Sequence, residues 1–218
     1  MRLHPIAAIV LIAVMTSTSA SALGGKLGVQ VAGIQNSLSG ELPEDGKWKG
    51  SSSLGFGLAA ELNLASDIAL SFQPGYMPRR CRQDFEERGE VVHHYDYAID
   101  YVALPLLVRV TGDPIGTRGF VTAGLELNVL LDASIDVGEG DQDITDAYRS
   151  STLGALFGAG VMVPLGRNFL TVELRYSQGL NDIVERDGGD PQPGLNSPSV
   201  KYRGLSLQAG FLFTLGGD

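Results

Sequence analysis

Five charged residues carry most of the chemistry this sequence offers. Glu61, Arg109, Glu126, Glu173 and Arg175 each stand in a run of alternating residues, on the parity filled mainly by glycine, alanine, serine and threonine. Carboxylates and guanidiniums so placed can neutralise one another. Away from water they must, because an unpaired buried ion is very costly. The pattern predicts an interior network of Glu–Arg pairs with a structural role.

Other candidate chemistry is weaker. His93-His94 lies beside Glu90 and Asp96, but adjacent strand residues point to opposite faces and no further ligand stands at a recognised metal spacing. The stretch Gly138-Glu139-Gly140-Asp141-Gln142-Asp143 resembles part of a calcium loop without its twelfth-position Glu, and reads as a solvated acidic loop. Arg79-Arg80-Cys81-Arg82 reads as a solvated basic run at a loop start, with anionic headgroups or sugars as the functional alternative. Zinc spacing, phosphate loops and nucleophile elbows do not stand out. Asp84, Glu86, His93 and Asp96 are the only candidates for a barrel enzyme, and they form no recognised constellation. No catalytic, cofactor-binding or metal-binding residue is assigned, and no cofactor is expected.

The elements that must position the five charges are strands. In Phe169 to Ser177, Leu170, Val172, Leu174 and Tyr176 share one parity, and Thr171, Glu173, Arg175 and Ser177 the other. Side chains alternate across a strand, so this segment has one apolar and one polar face. Eight such segments are predicted: about Lys26 to Gln35, Ser51 to Asn63, Ile68 to Met77, Tyr95 to Val110, Gly119 to Leu131, Ser151 to Val163, Phe169 to Ser177 and Lys201 to Leu215. Short turns at Leu64 to Asp67, Thr111 to Arg118 and Pro164 to Asn168 alternate with long polar loops at about Asn36 to Gly50, Pro78 to His94, Asp132 to Ser150 and Leu180 to Val200. Such alternation marks an up-and-down barrel, and an even strand count puts both termini on the short-turn rim. Pro74 and Pro105 interrupt this scheme, since proline cannot donate to a ladder. A local bulge is expected at Pro105.

The polar parity decides which face is outside. A water-facing surface would carry many Lys, Glu, Asp and Arg residues. Glycine, alanine, serine and threonine suit instead the crowded interior of an eight-stranded barrel. The other parity is bulky and aliphatic, as contact with lipid tails requires. The fold class is therefore all-β: an eight-stranded antiparallel up-and-down transmembrane β-barrel. Tyr76, Tyr176 and Tyr202 fall near the long-loop rim, where interfacial aromatic girdles sit, and Tyr101 lies toward its strand end.

Residues 1–22 read as a cleaved signal peptide. Arg2 supplies the positive start, Ile6 to Met15 the apolar run, and Ala20-Ser21-Ala22 the cleavage site. Residues 23–218 then form one barrel domain. The net charge of −9 argues against a nucleic-acid partner. Cys81 is the only cysteine, so no internal disulfide can form, and it reads as an unpaired loop residue.

The chain resembles the small outer-membrane β-barrel proteins of the PorT-like family, related in architecture to the OmpA and OmpX barrels. The resemblance is carried by Tyr101 to Arg109 with its Leu-Pro-Leu core, by Gly158-Ala159-Gly160-Val161, and by Glu173-Leu174-Arg175-Tyr176 running on to Ile183. Phe213 is followed by Thr214 to Asp218, so the terminal aromatic of many such barrels is displaced inward. The resemblance implies a cell outer-membrane location, contact with outer-membrane lipids and no catalytic residues. The expected function is a non-enzymatic anchored barrel with four long extracellular loops for surface interaction or envelope integrity. Partners would be extracellular or periplasmic proteins. The alternatives are a small pore or transport protein, and a lipocalin-type carrier, which the charged interior parity disfavours.

Overall fold

In the computed structural model, residues 24–39, 46–87, 90–112, 116–136, 140–183 and 200–215 are described. The signal segment lies outside them. The strands are β1 (Gly25–Ser39), β2 (Gly46–Asn63), β3 (Ile68–Phe72), β4 (Gly75–Glu87), β5 (Glu90–Thr111), β6 (Arg118–Asp136), β7 (Asp141–Asp143), β8 (Ser151–Leu165), β9 (Asn168–Gly179) and β10 (Lys201–Leu215). All pairings are antiparallel.

The sheet closes on itself. β2 and β5 each pair with both β3 and β4, so those two strands together fill one position of the wall. With β1 joined to β10 and β5 to β6, the ring has eight wall positions. β7 pairs with β6 beyond the point where β8 stops and carries that wall position outward. Closure leaves the ring of eight wall positions without a free sheet edge, which is what lipid demands.

The wall is inside out. Leu125 and Leu174 are each 52% exposed, while Glu126 and Glu173 are 6% and 4% exposed. Val29, Phe56, Val108, Phe157 and Leu207 line the same outer belt.

Both prolines sit at the break between β3 and β4. The Gln73 amide donates to the Pro105 carbonyl at 3.1 Å. The N–H that Pro105 lacks would point to the same side, where the neighbouring strand is interrupted. Pro105 itself stays in register opposite Glu126. The bulge expected at Pro105 is therefore absent there, and the irregularity is a break in the neighbouring wall position.

The real bulge lies higher, between Asp100 and Tyr101 on β5 and opposite Leu130 to Asp132 on β6. Below it, Thr122, Glu126 and Asn128 of β6 face inward. Above it, Ala133 and Ile135 do. The extra residue shifts the parity by one and sends Asp132 and Asp136 outward.

Above this level the polarity of the wall inverts. Cys81, Tyr97, Ile99, Tyr101, Ala133 and Ile135 fill the interior, joined by Ile144, Tyr148, Ile183, Val200 and Tyr202. The outer face carries Arg80 paired with Asp100 at 2.6 Å, and Arg82 paired with Asp96 at 2.7 Å. The long-loop end is thus an extension built like a water-soluble barrel. Segments expected as loops are strand here: β4 and β5 run on to Glu87 and from Glu90, and β6 reaches Asp136.

A charge on the lipid belt should be costly. Leu174→Arg is expected to destabilise the barrel by about 2–4 kcal/mol in a guanidinium titration of vesicle-inserted protein, against near neutrality for Leu174→Ile.

Candidate functional site

The lumen holds the five predicted charges and two further cations, in two storeys. In the storey nearer the short-turn rim, Arg109 of β5 pairs with Glu61 of β2 and stacks 4.3 Å over the Phe120 ring. Lys26 of β1 reaches the same carboxylate at 3.5 Å and donates to Asn63 at 2.9 Å. Arg175 grips Glu173, two residues away on the same face of β9, at 3.0 and 2.9 Å. The Thr122 hydroxyl donates to Glu173 at 2.6 Å. Arg175 also crosses the lumen to Gln73, at the β3–β4 break, at 2.7 Å.

The second storey centres on Glu126. Its Oε1 accepts from Arg79 of β4 at 3.0 Å, from Tyr202 of β10 at 2.9 Å and from Asn128 at 3.1 Å. Arg79 donates to Asn128 Oδ1 at 3.2 Å. Its guanidinium lies 3.6 Å from the Tyr202 ring centre and 5.5 Å from that of Tyr101. Charge-assisted hydrogen bonds through Nη2 and stacking on two rings together offset the loss of water around this ion, whose Nε and Nη1 have no hydrogen-bond partner.

Three glycines of β8 make this possible. A Cβ at Gly154 would overlap the Tyr202 hydroxyl, and one at Gly158 the Glu173 carboxylate. At Gly160 it would meet the Phe120 ring and the backbone of β9. One wall of the lumen is thus nearly flat, and long side chains from other strands lie against it.

The five sequence-predicted residues all lie inside, and three Arg–Glu pairs form among the described residues: Arg79–Glu126, Arg109–Glu61 and Arg175–Glu173. Arg79 was expected in a solvated basic run. It is instead a buried lumen residue, because β4 continues through it and its parity matches that of Met77 and Cys81. Arg80 and Arg82, on the other parity, are the outward partners of Asp100 and Asp96. Cys81 is buried in a strand rather than placed in a loop. Tyr202, expected near an aromatic girdle, points into the lumen with Tyr101, whereas Tyr176 faces out. Tyr202 shares parity with Gly204 and Ser206, a signal already present in the sequence. The side chains of Asp84, Glu86, Glu90, His93 and His94, together with Gly138 and Glu139, lie outside the described residues. Asp141 to Asp143 form β7.

Little space remains between the storeys. The void near Gln30, Gln73, Arg109 and Glu173 is about 10 Å³, as is the one near Arg79, Cys81, Tyr101 and Tyr202. Each has room for about one water molecule. A larger cavity of about 400 Å³ lies at the short-turn rim, lined by Lys26, Glu61, Asp67, Arg118, Arg167 and Phe169 among others. The lumen is therefore a cup at one end and filled at the other.

A closed ring of eight strand positions, apolar outside and ionic within, defines a membrane β-barrel. The chain belongs to the outer membrane protein beta-barrel domain family, which matches residues 15–185, and its place is the outer membrane. Among solved structures it is similar to OprG of Pseudomonas aeruginosa, at a TM-score of 0.56 and 12% identity, covering 89% of this chain and 96% of that one. Looser likenesses are Neisserial surface protein A (0.46, 14%, covering 84% and 95%) and outer membrane protein W of E. coli (0.38, 18%, covering 85% and 97%). At these identities the likeness concerns fold alone. No curated protein matches the sequence.

Removing one partner of a buried pair strands the other. Arg79→Leu is expected to cost about 3–5 kcal/mol, and Arg79→Leu/Glu126→Leu to recover part of it; a double-mutant cycle from guanidinium titrations measures both.

The outer core predicts a pH response. Burial, with the nearby charge of Asp96, pushes the Cys81 thiol up to about 12 from an ordinary 9.0. Burial also raises the Tyr97 and Tyr148 hydroxyls above their ordinary 10.0. The folded form keeps protons that the unfolded chain releases. Stability from these groups is therefore intact below about pH 9 and falls as pH rises toward 12. Unfolding titrations between pH 8 and 11 should show this decline, and Tyr97→Phe should make it shallower.

Proposed function

We propose that this protein is a non-enzymatic, non-conducting anchor of the outer membrane that presents its long-loop end for surface interaction or envelope integrity. The filled lumen carries this reading: two ionic storeys with voids of about 10 Å³ each, surmounted by an apolar core at the long-loop end. Two backbone hydrogen bonds tie late segments into that core, from Arg149 to Ile183 at 2.9 Å and from Ile183 to Val200 at 3.0 Å. The polar exterior of the extension, with its Arg80–Asp100 and Arg82–Asp96 pairs, suits a surface held above the lipid. The five lumen charges, with Arg79 and Lys26, serve as structural ions in this reading.

Export would be directed by residues 1–22 and the barrel domain would be residues 23–218. Within its family the chain is read as PorT-like, on the Leu-Pro-Leu and Glu-Leu-Arg-Tyr segments. Its partners would be outer-membrane lipids and proteins met on either side of the membrane.

The pore reading makes the opposite demand on the same lumen. In planar bilayers the purified protein is expected to give no steady stepwise conductance. Large, stable openings would overturn the anchoring reading and favour the pore.

A further inference from the structure

The rim cavity is not explained by anchoring. It is about 400 Å³, within the size range of small-molecule sites. Among the described residues four cations line it, Lys26, Arg109, Arg118 and Arg167, against two carboxylates, Glu61 and Asp67. The carboxylates already have partners within the protein. Glu61 takes Arg109 and Lys26. Asp67 sits in the turn and accepts from the Ser66 hydroxyl at 3.4 Å.

Arg118 is placed differently. It stands at the start of β6, and its guanidinium lies 5.2 Å from the Phe169 ring centre. Its Nε is buried without a hydrogen-bond partner. A buried guanidinium donor lacking an acceptor is costly, and an incoming anion would supply one. Beside it the wall is apolar, with Ile68, Ala69, Met162 and Phe169. Asn63, Thr111 and Thr214 add neutral polar groups.

We propose that this cavity is a binding site for a small organic anion, a carboxylate or phosphate group on a short apolar body, held by Arg118. The ligand reaches it from the periplasm, because short turns of such barrels face that side and, among the described residues, the lumen beyond is filled by ion pairs with voids of about 10 Å³. Arg118 meets the charge, Lys26 adds long-range attraction, and Phe169 and Met162 pack against the body. The inference goes beyond the anchoring role. A bilayer conductance would overturn that role and leave the binding result standing.

The test is an NMR chemical-shift titration of the full-length barrel, refolded in neutral detergent at low salt. The probes are benzoate, glycerol phosphate and uncharged benzamide. Saturable binding of benzoate, of glycerol phosphate or of both is expected, with shifts at the rim, and benzamide should bind at least tenfold more weakly than the better anion. Which anion binds separates carboxylate from phosphate chemistry. Arg118→Gln should weaken binding at least tenfold, Arg118→Lys should retain most of it, and Arg80→Gln on the outer face should change nothing. Heat-modifiable gel migration checks that each variant folds. Absence of saturable anion binding, equal binding of benzamide, or wild-type affinity in folded Arg118→Gln would overturn the proposal.

Discussion

Desolvation governs this structure from the inside. An eight-stranded ring is wide enough for side chains and little else. A guanidinium entering it leaves its water behind and must find a carboxylate, a carbonyl oxygen or an aromatic face. Arg79 finds all of these at once in Glu126, Asn128 and Tyr202. Arg175 meets Glu173 and then Gln73 on the far wall. The Arg79 bonds and the Arg175–Gln73 bond tie strands far apart in sequence, so the lumen specifies which strand lies opposite which. A lipid-facing belt of leucine and valine cannot do that, because one aliphatic contact with an acyl chain is much like another.

The same constraint explains why the wall changes character along its height. Within the lipid belt the outside is oily and the ions are within. Beyond it water returns, and ions on the outer face become affordable while the interior becomes a hydrocarbon core. β5 makes this change with constant parity: Val110, Val108 and Leu106 face out below, Asp100 and Asp96 above. β6 makes it with a bulge. Had its alternation continued unbroken, Asp132 and Asp136 would point into the core and Ile135 would point to water. One extra residue avoids two buried carboxylates, a larger gain than the backbone pairing it interrupts.

Much of this was legible in the sequence. The period-two runs named eight wall positions, and the chemistry of each parity named its face. Glu61, Arg109, Glu126, Glu173 and Arg175 were found because each sits in a long, clean run. Arg79 was missed because Pro74 and Pro78 flank a stretch with few aliphatic residues, where the alternation that marks a strand is faint. Its neighbours Met77 and Cys81 give the parity only after β4 is known to continue. The polarity inversion has a signal too: adjacent Leu130 and Leu131 break the alternation just before Asp132. The β3–β4 break was not legible, since its effect depends on which carbonyl of β5 stands across from Gln73. Nor was the rim cavity, whose residues come from turns and strand ends that no periodicity connects.

The two ends of the barrel therefore differ in kind. At the long-loop end, Ile144, Tyr148, Ile183 and Val200 lie far from β4 and β5 in sequence, yet they complete one core with Cys81, Tyr97 and Ile99. That end is held by apolar burial, which is tolerant in detail and strong in sum. The middle is held by ions whose partners are fixed one by one. It depends on glycines at 154, 158 and 160 to keep the opposite wall thin. The short-turn end has only a small core, Ala59, Phe120, Met162 and Leu212 with Phe169 against it, and beside that core the Arg118 Nε is buried without a hydrogen-bond partner. Its turns, Ala65 to Asp67 and Gly166-Arg167, surround a cavity with more cations than carboxylates among the described residues. A barrel needing only to stay folded gains nothing from leaving a cavity of about 400 Å³ beside that small core. The imbalance lies where substitution by larger apolar residues would be easiest. It is therefore best understood as a site, and the two filled levels above it make it a cup.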